Sequence, residues 1–231
     1  MVRPMVCLLQ PRRVIMRAGT LFVLVLAAAV TTTTACTTAP AGPAGSVRER
    51  LETADSTELA VATEASAGSI TAKRRSAGQW VAGFVELIVE RGDLVVTADE
   101  RGAITLERLA VDLGPIEIPE SVLGYPAQLT DVHVEAKQPV RVMTSWTGND
   151  EALATAPVDL ALTWSLTIDG RSSPLGAPVL TDVPIELALT GNGRIIHAEA
   201  RVLSPGIVWS WADLVKLEDL SLILAATTLE P

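Results

Sequence analysis

Large apolar side chains alternate with polar or small ones throughout VDLALTWSLTID, residues 158–169. Successive side chains of a β-strand point to opposite faces, so this period of two predicts a strand with one buried and one solvated face. Strands of this kind are typical of antiparallel sheets that pack one side on a hydrophobic core. The expected buried face carries Val158, Leu160, Leu162, Trp164, Leu166 and Ile168.

The same alternation continues on both sides of this strand. Toward the C-terminus, residues 183–189 and 196–202 each alternate, and Asn192-Gly193 between them offers the two positive-φ residues that a tight hairpin turn needs. Toward the N-terminus, the apolar residues between 130 and 146 that would face inward all have even numbers. This predicts a long strand with an edge or a bend at Pro139.

The pattern is less regular in the first half of the domain. Arg91-Gly92 predicts a two-residue turn between two strands, and Glu100-Arg101-Gly102 predicts a turn before a third strand at 103–113. Within that third strand the inward parity changes from even to odd numbers. One extra residue of this kind predicts a β-bulge near Arg108.

The chain therefore carries about eight strands and little helix. The last of them is expected at 220–226, after a short helical turn over 212–218. Short connections predict antiparallel pairing, and such a sheet protects its edges by closing or by doubling over. We expect an all-β domain at residues 69–231, either a closed, lipocalin-like barrel or a β-sandwich.

The charge composition argues against a nucleic-acid-binding function. The 231 residues carry a formal charge of −9, and the first 35 residues hold four of the 18 basic and none of the 27 acidic side chains. The remaining chain is therefore more acidic than the whole, which argues against a nucleic-acid partner. A hydrophobic content of 48% suffices for a sizeable core.

The first 35 residues have the anatomy of an export signal. A basic stretch precedes an apolar run at 18–30, which is shorter than the roughly 20 residues of a membrane span. Thr33-Thr34-Ala35-Cys36 resembles a bacterial lipobox, although Thr33 replaces the usual aliphatic residue. Cleavage by an ordinary signal peptidase is the alternative, and Arg12-Arg13 resembles a twin-arginine signal if the chain starts at Met1 rather than Met16.

Cys36 would become the first residue of the mature chain and would carry a diacylglycerol anchor. We therefore expect an exported protein of the cell envelope, held at the membrane through Cys36. Residues 36–68 are rich in Thr, Ala, Pro, Ser and Glu without an apolar period, which predicts a flexible tether. Lys73-Arg74-Arg75 follows it and is interpreted as a solvated basic patch, with contact to a lipid head or a partner as the alternative.

The C-terminal third resembles a known family. WSLTIDGRSSPL, residues 164–175, is similar to the strand and turn of YceI-like polyisoprenoid-binding proteins, which read Leu-Thr-Ile and then Gly-x-Thr/Ser-x-Pro-Val/Leu. LEDLSLILAA, residues 217–226, resembles that family's final acidic turn and last barrel strand. The resemblance implies an eight-stranded antiparallel barrel whose interior binds a long apolar chain such as a polyisoprenoid. The matching turn positions are Gly170, Ser172, Pro174 and Leu175.

Four tryptophans are candidates for contact with an isoprenoid or acyl lipid. Trp146 and Trp164 fall on predicted inward faces, where core packing is the alternative. Trp209 and Trp211 follow Pro205-Gly206. Core packing is the default interpretation for them as well, and the alternative is that they line a cavity mouth or touch lipid, because indole suits sites that are partly apolar and partly wet.

The sequence predicts no enzyme, no cofactor and no metal site. No nucleophile elbow, P-loop or dinucleotide fingerprint is present. His133-Val134-Glu135 and His197-Ala198-Glu199 each place an imidazole and a carboxylate on one strand face, which would suit a metal. Both motifs continue into further charged residues of the same parity, so solvated outer faces with cross-strand charge pairs are the favoured interpretation.

Overall fold

The computed structural model describes residues 45–211 and 214–228, which form an all-β domain with two short helices. A single 3-10 turn, Thr63–Ala65, separates the first two strands. In chain order the elements are α1 Val47–Thr53, β1 Thr57–Val61, β2 Ala67–Ser76, β3 Gln79–Leu87, β4 Val89–Ala98, β5 Ile104–Leu113, β6 Ile116–Ile118, α2 Glu120–Leu123, β7 Ala127–Ala136, β8 Val140–Arg141, β9 Met143–Thr147, β10 Glu151–Ile168, β11 Arg171–Pro174, β12 Val179–Gly191, β13 Ile196–Trp211 and β14 Val215–Thr228.

The sheet closes on itself into an eight-stranded antiparallel barrel. Its wall follows the order β1-β4-β5-β7-β10-β12-β13-β14, and β14 returns to pair with β1 through Leu59 and Thr228. Where β1 pairs with β14, the backbone N–H and C=O groups of both edge strands are hydrogen-bonded, which an open sheet cannot achieve. The expected closed barrel is confirmed, and the sandwich is not formed.

Several wall positions are filled by two consecutive strands. β14 pairs with β1 near its C-terminal end and with β2 near its N-terminal end, so β1 and β2 share one position. β3 and β4 share the next position, because β3 pairs with β2 and β4 pairs with β1. Beyond the closed ring, β3 and β6 lie side by side, and no ladder joins them within the described residues.

The interior is the apolar face that the alternation predicts. Val158, Leu160, Leu162 and Trp164 of β10 are buried, while Leu166 and Ile168 at its end are half-buried. The outer face carries charged or hydroxyl side chains on every wall strand, with Asp159 and Thr163 as examples on β10. No helix among the described residues is long and apolar enough to cross a membrane.

The predicted tether is wrong over residues 46–68, because α1 and β1 lie in that segment. Val47 and Leu51 of α1 are buried in the core. The Val47 amide donates to Asp150 Oδ1 at 3.1 Å, and the Arg50 guanidinium donates to the Arg194 carbonyl, so α1 covers the barrel end where those turns lie. A seven-residue helix with two apolar residues is too short for its period to be visible in the sequence.

Three turn predictions also need correction. β4 continues through Arg91 and Gly92 without a turn. Gly92 instead allows β5 to approach closely, because a Cβ on Gly92 would lie 2.9 Å from the Ala110 carbonyl oxygen. The Asn192 hairpin has a four-residue loop, in which the Asn192 side chain accepts from two amides, rather than a tight turn with positive φ. Residues 215–218 are strand, not helix.

The predicted bulge near Arg108 is confirmed. Val95 pairs with Arg108 while Val96 pairs with Leu106, so Glu107 is the extra residue on β5. The extra residue restores the apolar side chains on both sides of it to the inner face. The predicted turn at 100–102 is confirmed too, with Gly102 at a φ of 75°.

We expect Leu51→Ala and Leu59→Ala to lower the free energy of unfolding by about 2–5 kcal/mol each, since each removes a fully buried leucine side chain. Urea unfolding followed by tryptophan fluorescence measures this change. Glu58→Ala, an exposed position on β1, is the matched control and should stay within about 0.5 kcal/mol of wild type. Neutral leucine variants would show that this segment is a tether after all.

Candidate functional site

An apolar cavity of about 250 Å³ lies inside the barrel at the end opposite α1. α1 is bonded to the turn that precedes β10, whereas the cavity is lined by the last inward residues of β10. Tyr125 carries the only side-chain oxygen of its lining, and the remaining lining side chains are aliphatic or indole. The lining residues are Ile118, Leu123, Tyr125, Leu129, Leu166, Ile168, Leu175, Trp209, Trp211, Val215 and Leu217.

Three tryptophans meet at this end of the barrel. Trp209 and Trp211 line the cavity, and Trp211 is 58% exposed. Trp164 lies beneath the cavity wall, 4% exposed, with its ring centroid 6.5 Å from that of Trp209 in an edge-to-face arrangement. Its indole Nε1 is buried without a hydrogen-bond partner in the described part of the protein.

Trp146 does not belong to this group. It lies on β9 opposite Ala152, and roughly 40 Å of extended strand separates Ala152 from Trp164. Its Nε1 donates to the Gly102 carbonyl at 2.7 Å, and the Arg48 guanidinium lies 5.7 Å from its ring centroid. Trp146 therefore contacts α1 and the turn at Gly102 at the opposite end of the barrel, and it does not line the cavity.

The sequence analysis did not predict α2, which covers one side of the cavity with Leu123. The helix is bracketed by Pro119 and by Gly124, whose φ of 81° ends it in the left-handed region. α2 packs on β3 so closely that a Cβ on Gly83 would lie 2.6 Å from Val122 Cγ2. Pro and Gly five residues apart are a weak signal for a one-turn helix, and a single turn has no period to detect.

The cavity is the best candidate site by its chemistry rather than its size. A shallower cleft of about 560 Å³ on the outer side of α2 is larger, but three carboxylates, Glu117, Glu120 and Asp169, lie along it, and it opens widely to solvent. The inner cavity exceeds the roughly 150 Å³ at which an engineered apolar cavity binds benzene. Scaled from that case, it has room for about ten carbon atoms of a chain.

The histidines lie on outer faces, in separate places. His133 on β7 bonds to Asp112 through Nδ1 at 2.6 Å, and the Arg91 guanidinium donates to the same carboxylate. His197 lies exposed on β13, and β10 and β12 separate the two strands in the wall. The structure does not bring the two His-x-Glu motifs together.

Arg91 holds the pKa of Asp112 below its usual value through their hydrogen bond, with a smaller contribution from His133.

The predicted lipidation residue, Cys36, lies outside the described residues.

No known family model matches this chain, and no curated protein matches it. Among solved structures, the crystal structure of Ail, the attachment invasion locus protein of Yersinia pestis, in complex with the heparin analogue sucrose octasulfate, is similar at 11% identity. The match has a TM-score of 0.33 and covers 74% of this chain and 97% of that one. The crystal structure of Ail without that ligand matches at 9% identity and a TM-score of 0.29 over the same shares. Similarities of this size carry no argument about function.

We expect the stabilisation from Asp112 to disappear in acid. Because its pKa is lowered on folding, its contribution is present above the unfolded value of about 3.9 and is lost as pH falls through the lowered value. The difference in unfolding free energy between wild type and Asp112→Asn should therefore shrink between about pH 5 and pH 2. Urea unfolding at several pH values tests this, and a constant difference across that range would contradict it.

Proposed function

We propose that this chain is an exported protein, held at a membrane by a lipid on Cys36, whose barrel takes up the end of an apolar lipid chain. The observation that carries the proposal is the almost wholly apolar cavity at one barrel end, with two indoles in its wall. A cavity without fixed polar groups inside selects a ligand by shape and hydrophobicity, which suits an isoprenoid or acyl chain. The resemblance of residues 164–228 to YceI-like proteins implies the same class of ligand.

The size of the cavity sets how such a ligand would bind. About ten carbon atoms fit, so a polyisoprenoid would place its end inside and leave the rest beyond Trp211. Burial of ten methylene-sized groups contributes about 8 kcal/mol. Association costs at least about 4 kcal/mol in lost freedom, so at most about 4 kcal/mol remains and we expect dissociation constants of about 1 mM or weaker for a ten-carbon chain.

The direct test is to purify the full chain under native conditions and to analyse an organic extract by mass spectrometry. The purified protein is then titrated with farnesol and with decan-1-ol while tryptophan fluorescence is recorded. A stoichiometric lipid in the extract, or a saturable response from the indoles, supports the proposal. An empty extract together with unchanged fluorescence for both alcohols would overturn it.

A second candidate is a non-enzymatic envelope protein that acts structurally or through protein contacts. It is favoured by exposed apolar side chains on the outer surface: Phe84 is 66% and Ile88 69% exposed, and Ile223 lies beside them along one shallow cleft. Exposed apolar patches of this kind often mark interaction surfaces. The empty-cavity outcome of the extraction and titration would leave this candidate in place.

Trp211→Ala should weaken decan-1-ol binding by about tenfold, because it removes an indole from the cavity wall while leaving the core intact. Trp80→Ala is the matched control. Trp80 is also exposed, at 42%, and stacks against Lys216 away from the cavity lining. Isothermal titration of both variants measures the effect, and equal affinities for the two would exclude Trp211 from the site.

Cys36→Ser should release the mature chain from the membrane fraction, because diacylglycerol needs the thiol of that residue. Fractionation of cells expressing each form, followed by immunoblotting, measures the distribution. Cys7→Ser is the control, since Cys7 lies within the expected leader. Retention of Cys36→Ser at the wild-type level would exclude the lipid anchor.

A further inference from the structure

Arg74 differs from the two basic residues that flank it. Lys73 lies on the outer face of β2 and pairs with Glu218, and Arg75 on the same face is exposed. Arg74 falls between them on the inner face, where its ladder partners are Val81 on β3 and Val215 on β14. The chain thus places one cation of the basic cluster inward.

The inward guanidinium lies beside the apolar cavity. Its Nη1 donates to the carbonyl oxygen of Leu123, and both Leu123 and Val215 line the cavity. Its Nε is buried and has no hydrogen-bond acceptor in the described part of the protein. Within the same part, Arg74 forms no ion pair with any carboxylate, unlike Lys73, Arg91 and Arg141.

A buried N–H without an acceptor and a half-buried cation without a counter-ion both cost free energy. An anionic group placed next to the cavity would remove both costs at once. Because Nη1 is already engaged by Leu123, the free edge of the guanidinium is the one formed by Nε and Nη2. Two parallel N–H groups on one edge match the two oxygens of a carboxylate or of a phosphate.

We propose that the cavity ligand is a single-chain amphiphile with an anionic head, a carboxylate or a phosphate monoester, whose head binds Arg74 while its chain enters the cavity. This inference rests on the proposed function and narrows its ligand class. Arg74 supplies the charge selection that the apolar lining lacks. A chain of about ten carbons fills the cavity and leaves the head at the level of Leu123 and Gly124.

The test is a titration of the full chain with four ligands of equal chain length: decanoate, decyl phosphate, decan-1-ol and decyltrimethylammonium. We expect one or both anions to bind about 10- to 100-fold more tightly than decan-1-ol, and the cation to bind most weakly. The ranking of decanoate against decyl phosphate then distinguishes the two sources of the anionic head. Equal affinities of anions and alcohol in the wild-type protein would overturn the role of Arg74 and leave the proposed function standing.

Variants separate charge selection from folding. Arg74→Gln should bring the anions down to the affinity of decan-1-ol without changing the affinity for the alcohol, whereas Arg74→Lys should keep part of the preference. Arg75→Gln, one position away and on the outer face, should behave like wild type. An anion preference that survives Arg74→Gln, or disappears in Arg75→Gln, contradicts the inference. If none of the four ligands binds wild type, the proposed function itself fails.

Discussion

The interior of a closed eight-stranded sheet has a fixed width, and inward side chains have to fill it at every level. This chain meets the constraint differently at its two ends. Near α1 several inward residues, such as Ala152, Ala154 and Ala198, are small, and the helix adds Val47 and Leu51 to the packing. At the other end the inward residues are mostly large aliphatic side chains and indoles, and within residues 45–211 and 214–228 no second helix packs inside the barrel as α1 does. The cavity is the volume that these larger side chains leave unfilled.

Charged side chains distinguish the outer face of the barrel from its interior. The outer face is dominated by ion pairs and solvated side chains, such as Arg91 with Asp112 and Arg141 with Asp99. Such exposed pairs contribute little to stability, and their main effect is to keep the outer wall polar. Arg74 is an exception, because this cation lies on the inner, apolar face of β2.

The alternation at 158–169 was sufficient to predict the strand, its buried face and an antiparallel sheet, because burial on one face imposes a period of two. The parity change at Arg108 revealed the bulge for the same reason. Short elements, such as the seven-residue α1, the five-residue β1 and the four-residue α2, gave no usable pattern. Gly92 resembles a turn residue in the sequence but serves close packing against Ala110, a contact made by a different strand. Of the residues that line the candidate cavity, the sequence had singled out Trp209 and Trp211 as one alternative, and the lone indoles gave no sign that Trp146 lies at the opposite end.

β14 holds both sides of the wall together, since it pairs with β13 on one side and with β1 and β2 on the other. It is also the last strand in chain order among the described residues. Until its 14 residues have been made, β1 and β13 are both free edges, and free edges invite pairing with other chains. Contacts between the first and last strands are among the most distant that the sequence allows, and contacts of this kind form slowly. Closure of the ring therefore depends on the arrival of β14, and until that strand pairs, the two edges need protection from association with other chains.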